Sequence, residues 1–232
     1  MSADQPQLTV VVPAYNERDT ILGVLERLRA LELTMQIIVV DDCSHDGTAE
    51  LLRDAGADVE VYRHDVNQGK GAALRTGFRH ARGRVVVVQD ADLEYDPAEI
   101  PSLIAPILGG HADVVYGSRL IGGKPQRVHL FWHKAGNRFL SLLTNVLYNT
   151  TLTDMETGYK AFTLEVLRAI EPLRESDFRI EPELTAKICR GRFRVYELPI
   201  SYYGRSYGEG KKITWRDGFP AIWALLKYRF RD

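Results

Sequence analysis

The 232-residue chain has only two cysteines, Cys43 and Cys189. They lie far apart and match no metal-ligand spacing, so a disulfide framework and a cysteine-based zinc site are both excluded, and a reduced, cytoplasmic setting fits. Neither sign of charge is in excess. Thirty Lys and Arg face 31 Asp and Glu, which removes any bulk electrostatic case for nucleic acid. No apolar run approaches the roughly 20 residues that span a bilayer. Met1–Gln7 lack the apolar core of a signal peptide. The expectation is a chain that is soluble or lies on a membrane surface. Glycine is missing from the first turn, Ala14-Tyr15-Asn16-Glu17, which argues against a G-x-G-x-x-G dinucleotide site. Asn67-Gln68-Gly69-Lys70-Gly71 looks friendly to phosphate, but it departs from the G-x-x-x-x-G-K-[ST] pattern of an NTP-hydrolysing loop.

What is present alternates in the first half. Short β-branched runs at Leu8–Pro13, Gln36–Asp41, Val59–His64, Val85–Asp90 and Asp113–Gly117 are separated by helical patterns at Glu17–Leu31, Thr48–Ala55, Gly71–Ala81 and Pro97–Leu108. Ile21, Leu22, Leu25, Leu28 and Leu31 mark one face of the first helix. Asp96-Pro97 reads as an N-cap followed by proline at the first helical position. Apolar strands separated by helices predict a parallel sheet covered on both faces. The second half predicts a long helix over His129–Tyr148, helices at Leu164–Ile170 and Glu181–Arg190, a strand over Arg194–Ile200 and a terminal helix over Trp215–Phe230. With no repeat or linker, one domain is expected over 1–232.

Ligands of open α/β sheets bind beyond the carboxyl ends of the strands. Three such ends are unusually polar: Pro13–Glu17, Asp41-Asp42 running into Cys43–Gly47, and Asp90-Ala91-Asp92 with Glu94. Asp46-Gly47 reads as a plain turn former. One acidic strand end is as readily a helix cap as a site. Several on one rim repel each other unless a cation or donor groups compensate. Carboxylates two apart in an extended turn suit Mg²⁺ or Mn²⁺, with substrate phosphates completing the shell.

These segments occur together in one known order. Val11–Glu17, Val39–Thr48, Asn67–Gly71 and Gln89–Glu94 resemble the family 2 inverting glycosyltransferases, in the dolichyl-phosphate mannose and glucose synthase branch. The resemblance covers about residues 8–212. It implies a GT-A fold: a single Rossmann-like, mostly parallel sheet flanked by helices, with helices on the acceptor side at the C-terminal end. By that resemblance, residues up to about 120 bind the nucleotide sugar and those from about 121 form the acceptor half. Pro13, Tyr15, Glu17, Val40 and Asp42 would hold base and ribose, and Lys70 would join the donor site. Asp90, Ala91, Asp92 and Glu94 would form the metal and diphosphate site; Glu94 stands where the mannose branch often has Gln. Gly117-Ser118-Arg119 and Asp154–Phe162 resemble the acceptor-side segments. Tyr203–Lys212, with Arg205 and Lys211, resembles a lid over the diphosphate, expected to move freely until donor binds.

The implied reaction is one in-line displacement at the anomeric carbon, from a GDP-mannose or UDP-glucose type of donor to a polyprenyl phosphate. Asp92 with its metal, Arg205 and Lys211 would face the charge of the leaving diphosphate. Asp154 is either a base or an orienting group. A phosphate monoester is already anionic at neutral pH, with a second pKa near ~6, and needs cations to hold it; Arg119, Arg138 and Lys160 are the candidates. His129–Tyr148 and Trp215–Phe230 interleave large apolar and basic residues, as helices do at a membrane interface. Peripheral docking at the cytoplasmic face, or a membrane-protein partner, is therefore expected. Rival readings are a family 2 enzyme using a glycan or small hydroxyl acceptor, a nucleotidyltransferase or phosphatase, and a non-catalytic binding subunit.

Overall fold

A computed structural model of the chain describes residues 6–128, 131–205 and 218–231. The expected alternation is present as β1 (Leu8–Ala14), α1 (Ile21–Arg29), β2 (Met35–Asp41), α2 (Thr48–Arg53), β3 (Val59–Arg63), α3 (Lys70–His80), β4 (Val85–Val88), α4 (Ile100–Leu108) and β5 (Val114–Ser118). A single 3₁₀ turn, Pro97–Glu99, leads into α4, and the Asp96 carboxylate caps it by accepting from the Ala98 amide. Beyond β5 come α5 (Phe131–Tyr148), β6 (Lys160–Thr163), α6 (Leu164–Ala169), α7 (Ile180–Arg190), β7 (Val195–Pro199) and α8 (Gly218–Phe230).

The seven strands form one sheet in the order β3-β2-β1-β4-β6-β5-β7. All pairings are parallel except those of β6, which runs antiparallel to both β4 and β5. The sequence did not announce this strand. Its four residues, Lys-Ala-Phe-Thr, are too short and mixed to show a period. Once inserted, β6 joins β4 to β5.

Apolar side chains from both faces of the sheet are buried. One layer packs Val10, Val12, Val85 and Val87 against Ile21, Val24, Leu25 and Leu28 of α1 and Ile100, Leu103 and Ile104 of α4. The opposite layer packs Val11, Val86 and Val88 against Leu74 and Phe78 of α3 and Ile180 and Leu184 of α7. The expected face of α1 needs one correction. Val24 is buried while Leu22 is exposed, because Ile21, Val24, Leu25 and Leu28 form the i, i+3, i+4, i+7 stripe that faces the sheet and Leu22 falls beside it.

The long helix α5 buries little of its surface. Only Leu140, Ser141 and Thr144 of its 18 residues are buried. Leu140 packs with Met155, Ala221 and Leu225, which ties α5 to α8. The other side leaves Phe131, Trp132 (79% exposed), Phe139, Leu142 and Val146 open, and α8 adds Trp223 and Phe230. None of the described helices is long and apolar enough to cross a membrane.

Candidate active site

The chain passes from β1 outward to β2 and β3, then crosses back to β4 on the other side of β1. Such a reversal opens a crevice at the carboxyl ends of the two central strands. Pro13 helps to open it. The Val11 carbonyl accepts from Gln89, whereas the Ala14 carbonyl accepts from Asp42, so Pro13 faces the β4 side. There β4 has already ended at Val88, opposite Val11, and a missing N–H breaks no ladder.

The loops after β1 and β2 are laced together. Asn16, held at φ 53°, accepts from the His45 amide at 2.9 Å, and the Glu17 amide donates to Thr48 Oγ1 at 3.0 Å. Asp46 accepts from the Thr48 amide, and Gly47 takes φ 101°. Asp46-Gly47 is thus the turn former expected. Asp42 has a different place from the one expected. Its carboxylate is buried and accepts from Gln68 and Gly69 amides at 2.9 and 2.7 Å, with His64 Nδ1 at 2.7 Å. It fixes the 67–69 loop instead of presenting a free oxygen to a base. Val40 likewise turns its side chain into the core, beside Ile38 and Ala73.

Beyond β4 the acidic turn is held by cations. Lys70 Nζ reaches Asp90 at 2.8 Å and Glu181 of α7 at 3.2 Å. Burial works to lower its pKa, but Asp90 and Glu181 outweigh burial and keep the ammonium charged. Ala91 is buried in the core. Leu93, at φ 58°, bends the chain sharply, and the Glu94 amide donates back to Asp92 at 3.1 Å. Arg205 then gathers the rim. Its Nη2 donates to Asp92 at 2.9 Å, its Nη1 to Glu17 at 3.1 Å, and its amide to Glu94 at 2.6 Å. Burial, with the Asp90 and Glu94 carboxylates close by, pushes the Asp92 pKa up to about 7. Even with Arg205 in place the cluster lacks positive charge.

That deficit tests the site for a divalent ion. Asp90, Asp92 and Glu94 offer only hard oxygen donors, as Mg²⁺ and Mn²⁺ prefer. Among the described residues no three such groups already converge on one point; Lys70 and Arg205 stand between them. The donor set fits the ion chemically, and a bound ion would take over the neutralising role of Arg205.

The segments expected on the acceptor side are organised around a second charge pair. Asp154, fully buried, accepts from Arg119 Nε at 2.7 Å, Arg119 Nη2 at 2.8 Å and the Arg119 amide at 2.9 Å, and from Asn137 Nδ2 at 2.7 Å. Burial alone would raise its pKa; Arg119 and these hydrogen bonds bring it below the usual carboxylate range. A carboxylate so occupied is a poor base and a good anchor. Tyr202 links this pair to the acidic rim. Its ring lies 5.1 Å from the Arg119 guanidinium, and its hydroxyl donates to Glu94 at 2.7 Å. Arg138 is exposed and lines a cleft of about 260 Å³ with Leu120, Ser141, Leu142, Asn145 and Thr153. Leu120 and Thr153 adjoin Arg119 and Asp154 in the chain, so the cleft opens beside that pair.

Lys160 corrects an expectation. It is fully buried, and its ammonium donates to the Met155 carbonyl at 3.1 Å, to the Thr157 carbonyl, and to Glu181 at 2.6 Å. With three donors used, none remains for an acceptor phosphate. Lys211 and the lid beyond Arg205 lie outside the described residues. Sequence reasoning overlooked Glu181, shared by Lys70 and Lys160, and Tyr202. Neither sits in a recognisable motif; Glu181 reads simply as an acidic residue in a helix first turn.

A mostly parallel sheet of this order with an acidic rim defines the GT-A class of transferase fold. The chain belongs to glycosyl transferase family 2, whose model matches residues 9–170, and it is a glycosyltransferase. It is 32% identical over 248 residues to the undecaprenyl-phosphate mannosyltransferase of Micrococcus luteus, covering 96% of this chain and 98% of that one. It is 32% identical over 212 residues to the dolichol-phosphate mannosyltransferase of Pyrococcus furiosus, covering 88% of this chain and 59% of that one. Its fold matches glucosyl-3-phosphoglycerate synthase from Mycobacterium tuberculosis, solved with Mn²⁺, UDP-glucose and phosphoglyceric acid, with a TM-score of 0.76 at 19% identity over 98% of this chain and 81% of the other.

Proposed function

We propose that this enzyme transfers a hexosyl group, with inversion, from a nucleotide sugar to the phosphate of a polyprenyl phosphate. The observation that carries the reading is the Arg119–Asp154 pair. Asp154 holds one edge of the guanidinium through Nε and Nη2, which leaves Nη1 to meet an anion. The names of the two mannosyltransferase relatives support the same acceptor class. The phosphate brings an ionised nucleophile, so the site has to position it and has little need of a base. Asp154 is then a positioning residue. Tyr15, Glu17 and the loop fixed by Asp42 frame the nucleotide, and Lys70 and Arg205 serve the diphosphate. Asp92, with Asp90 and Glu94, would hold Mg²⁺ or Mn²⁺, which supplies charge to the departing diphosphate. Residues to about 120 serve the donor and most of the rest the acceptor, with Arg205 returning to the donor diphosphate, as a single functional domain.

The exposed aromatic side of α5 and α8 supports peripheral docking at the cytoplasmic membrane face. There the apolar residues enter the headgroup boundary while Arg138 and Arg119 stay at the level of the lipid phosphate. The deciding experiment supplies Mn²⁺ and labelled GDP-mannose or UDP-glucose with polyprenyl phosphate, polyprenol or a water-soluble sugar. Transfer to the lipid phosphate alone is expected. Transfer to the sugar and none to the lipid phosphate would establish the rival hydroxyl-acceptor reading.

A further inference from the structure

The segment Asp154–Gly158 is clamped along its length. Asp154 is bound to Arg119, and the Met155 amide donates to Ser141 Oγ at 3.0 Å. The carbonyls of Met155 and Thr157, on either side of Glu156, are both taken by Lys160 Nζ. Thr157 Oγ1 donates to the Gly117 carbonyl at 2.6 Å, and the Gly158 amide donates to Tyr95 at 3.1 Å. Gly158 backs directly onto the donor site, since a Cβ there would lie 2.4 Å from Asp90 Oδ2. Within this rigid run the Glu156 side chain stands apart. Its Oε1 is buried without a hydrogen-bond partner among the described residues. Such an oxygen is costly, and it is tolerated where a ligand supplies the partner.

Its position says which ligand. One end of the segment holds the acceptor arginine and the other touches Asp90. In-line displacement sets the anomeric carbon between the donor diphosphate and the attacking phosphate, and the hexose ring must lie there too. We propose that Glu156 accepts a hydrogen bond from a hydroxyl of the donor hexose and so helps to select and orient the sugar. The inference rests on the nucleotide-sugar reading above. A carboxyl set to bind a hydroxyl discriminates strongly against sugars that lack one at that place, because its own buried oxygen is then left unpaired.

Calorimetric titration with Mn²⁺ present tests the assignment. UDP-glucose is compared with UDP, and GDP-mannose with GDP, for the wild type, E156Q and E156A. Both variants are expected to keep nucleoside diphosphate affinity within about 2-fold while losing affinity for the nucleotide sugar, about 10- to 100-fold for E156A and less for E156Q. An unchanged ratio of sugar to diphosphate affinity in E156A overturns the assignment and leaves the transferase reading intact. Should E156A not fold, an unchanged ratio in the isosteric E156Q has the same force. If the wild type binds none of the four nucleotides, the donor reading fails and the role of Glu156 fails with it.

Discussion

Arg205 donates from Nη2 to Asp92 Oδ2 at 2.9 Å, although the two residues are 113 positions apart in the chain. The same guanidinium reaches Glu17, so one cation spans the residue expected at the nucleotide and the residue expected at the metal. Without donor, Arg205 neutralises a rim that would otherwise repel itself. Arg205→Ala should therefore lower the melting temperature without divalent ion, and Mn²⁺ should raise that of the variant more than that of the wild type. Equal Mn²⁺ shifts in the two proteins would contradict this role.

Asp92→Asn should cut transfer at least about 100-fold, since removing one charge-stabilising group commonly costs that much. The fold should survive, because the change also relieves repulsion from Asp90 and Glu94. A chelator should mimic the loss in the wild type. Full turnover in excess chelator would show that no ion is needed.

Arg119→Ala should raise KM for the acceptor about 10-fold or more and leave donor affinity unaltered. It also strips Asp154 of its main partner and should destabilise the protein by about 3–5 kcal/mol, the usual cost of leaving a buried charge unpaired. Asp154→Asn distinguishes base from anchor. An anchor predicts an acceptor KM defect and a pH profile of kcat with its acid limb in place; loss of that limb would mark a base.

Stability should depend on pH in two opposite ways. Asp154 has a lowered pKa in the fold; its contribution is present above the ordinary carboxylate pKa and is lost as pH falls through the lowered value. Burial pushes the Glu156 pKa up to about 7, so the folded state holds its proton longer than the unfolded chain does. Stability should then decline as pH rises from the ordinary glutamate value through about 7, by at most about 1.4 kcal/mol per pH unit for one proton. Glu156→Gln should flatten that decline. Denaturant midpoints between pH 4 and 9 would reveal it, and identical slopes in the two proteins would refute it.

Replacing Phe131 and Trp132 together with serine should weaken binding to anionic liposomes and transfer to polyprenyl phosphate. Both side chains are exposed, so folding and nucleotide binding should be nearly unchanged. Retained liposome binding would place the membrane contact elsewhere.

The sequence by itself determined the alternation of strands and helices, because apolar period and cap chemistry are local properties. It also determined which strand ends are acidic, and the order of those motifs was enough to indicate the family. It could not determine which charges meet. Arg119, Arg138 and Lys160 read alike as acceptor cations, and only the tertiary structure sent Lys160 into the core against Glu181 while pairing Arg119 with Asp154. Asp42 and Asp92 both lie at acidic strand ends, yet one is consumed by backbone amides of a neighbouring loop and the other faces Arg205. The short antiparallel β6 was equally silent, since its four residues become a strand only between β4 and β5. In each case the deciding partner lies tens of residues away, and the free energy of a buried charge depends on which partner the packed sheet brings within hydrogen-bond reach.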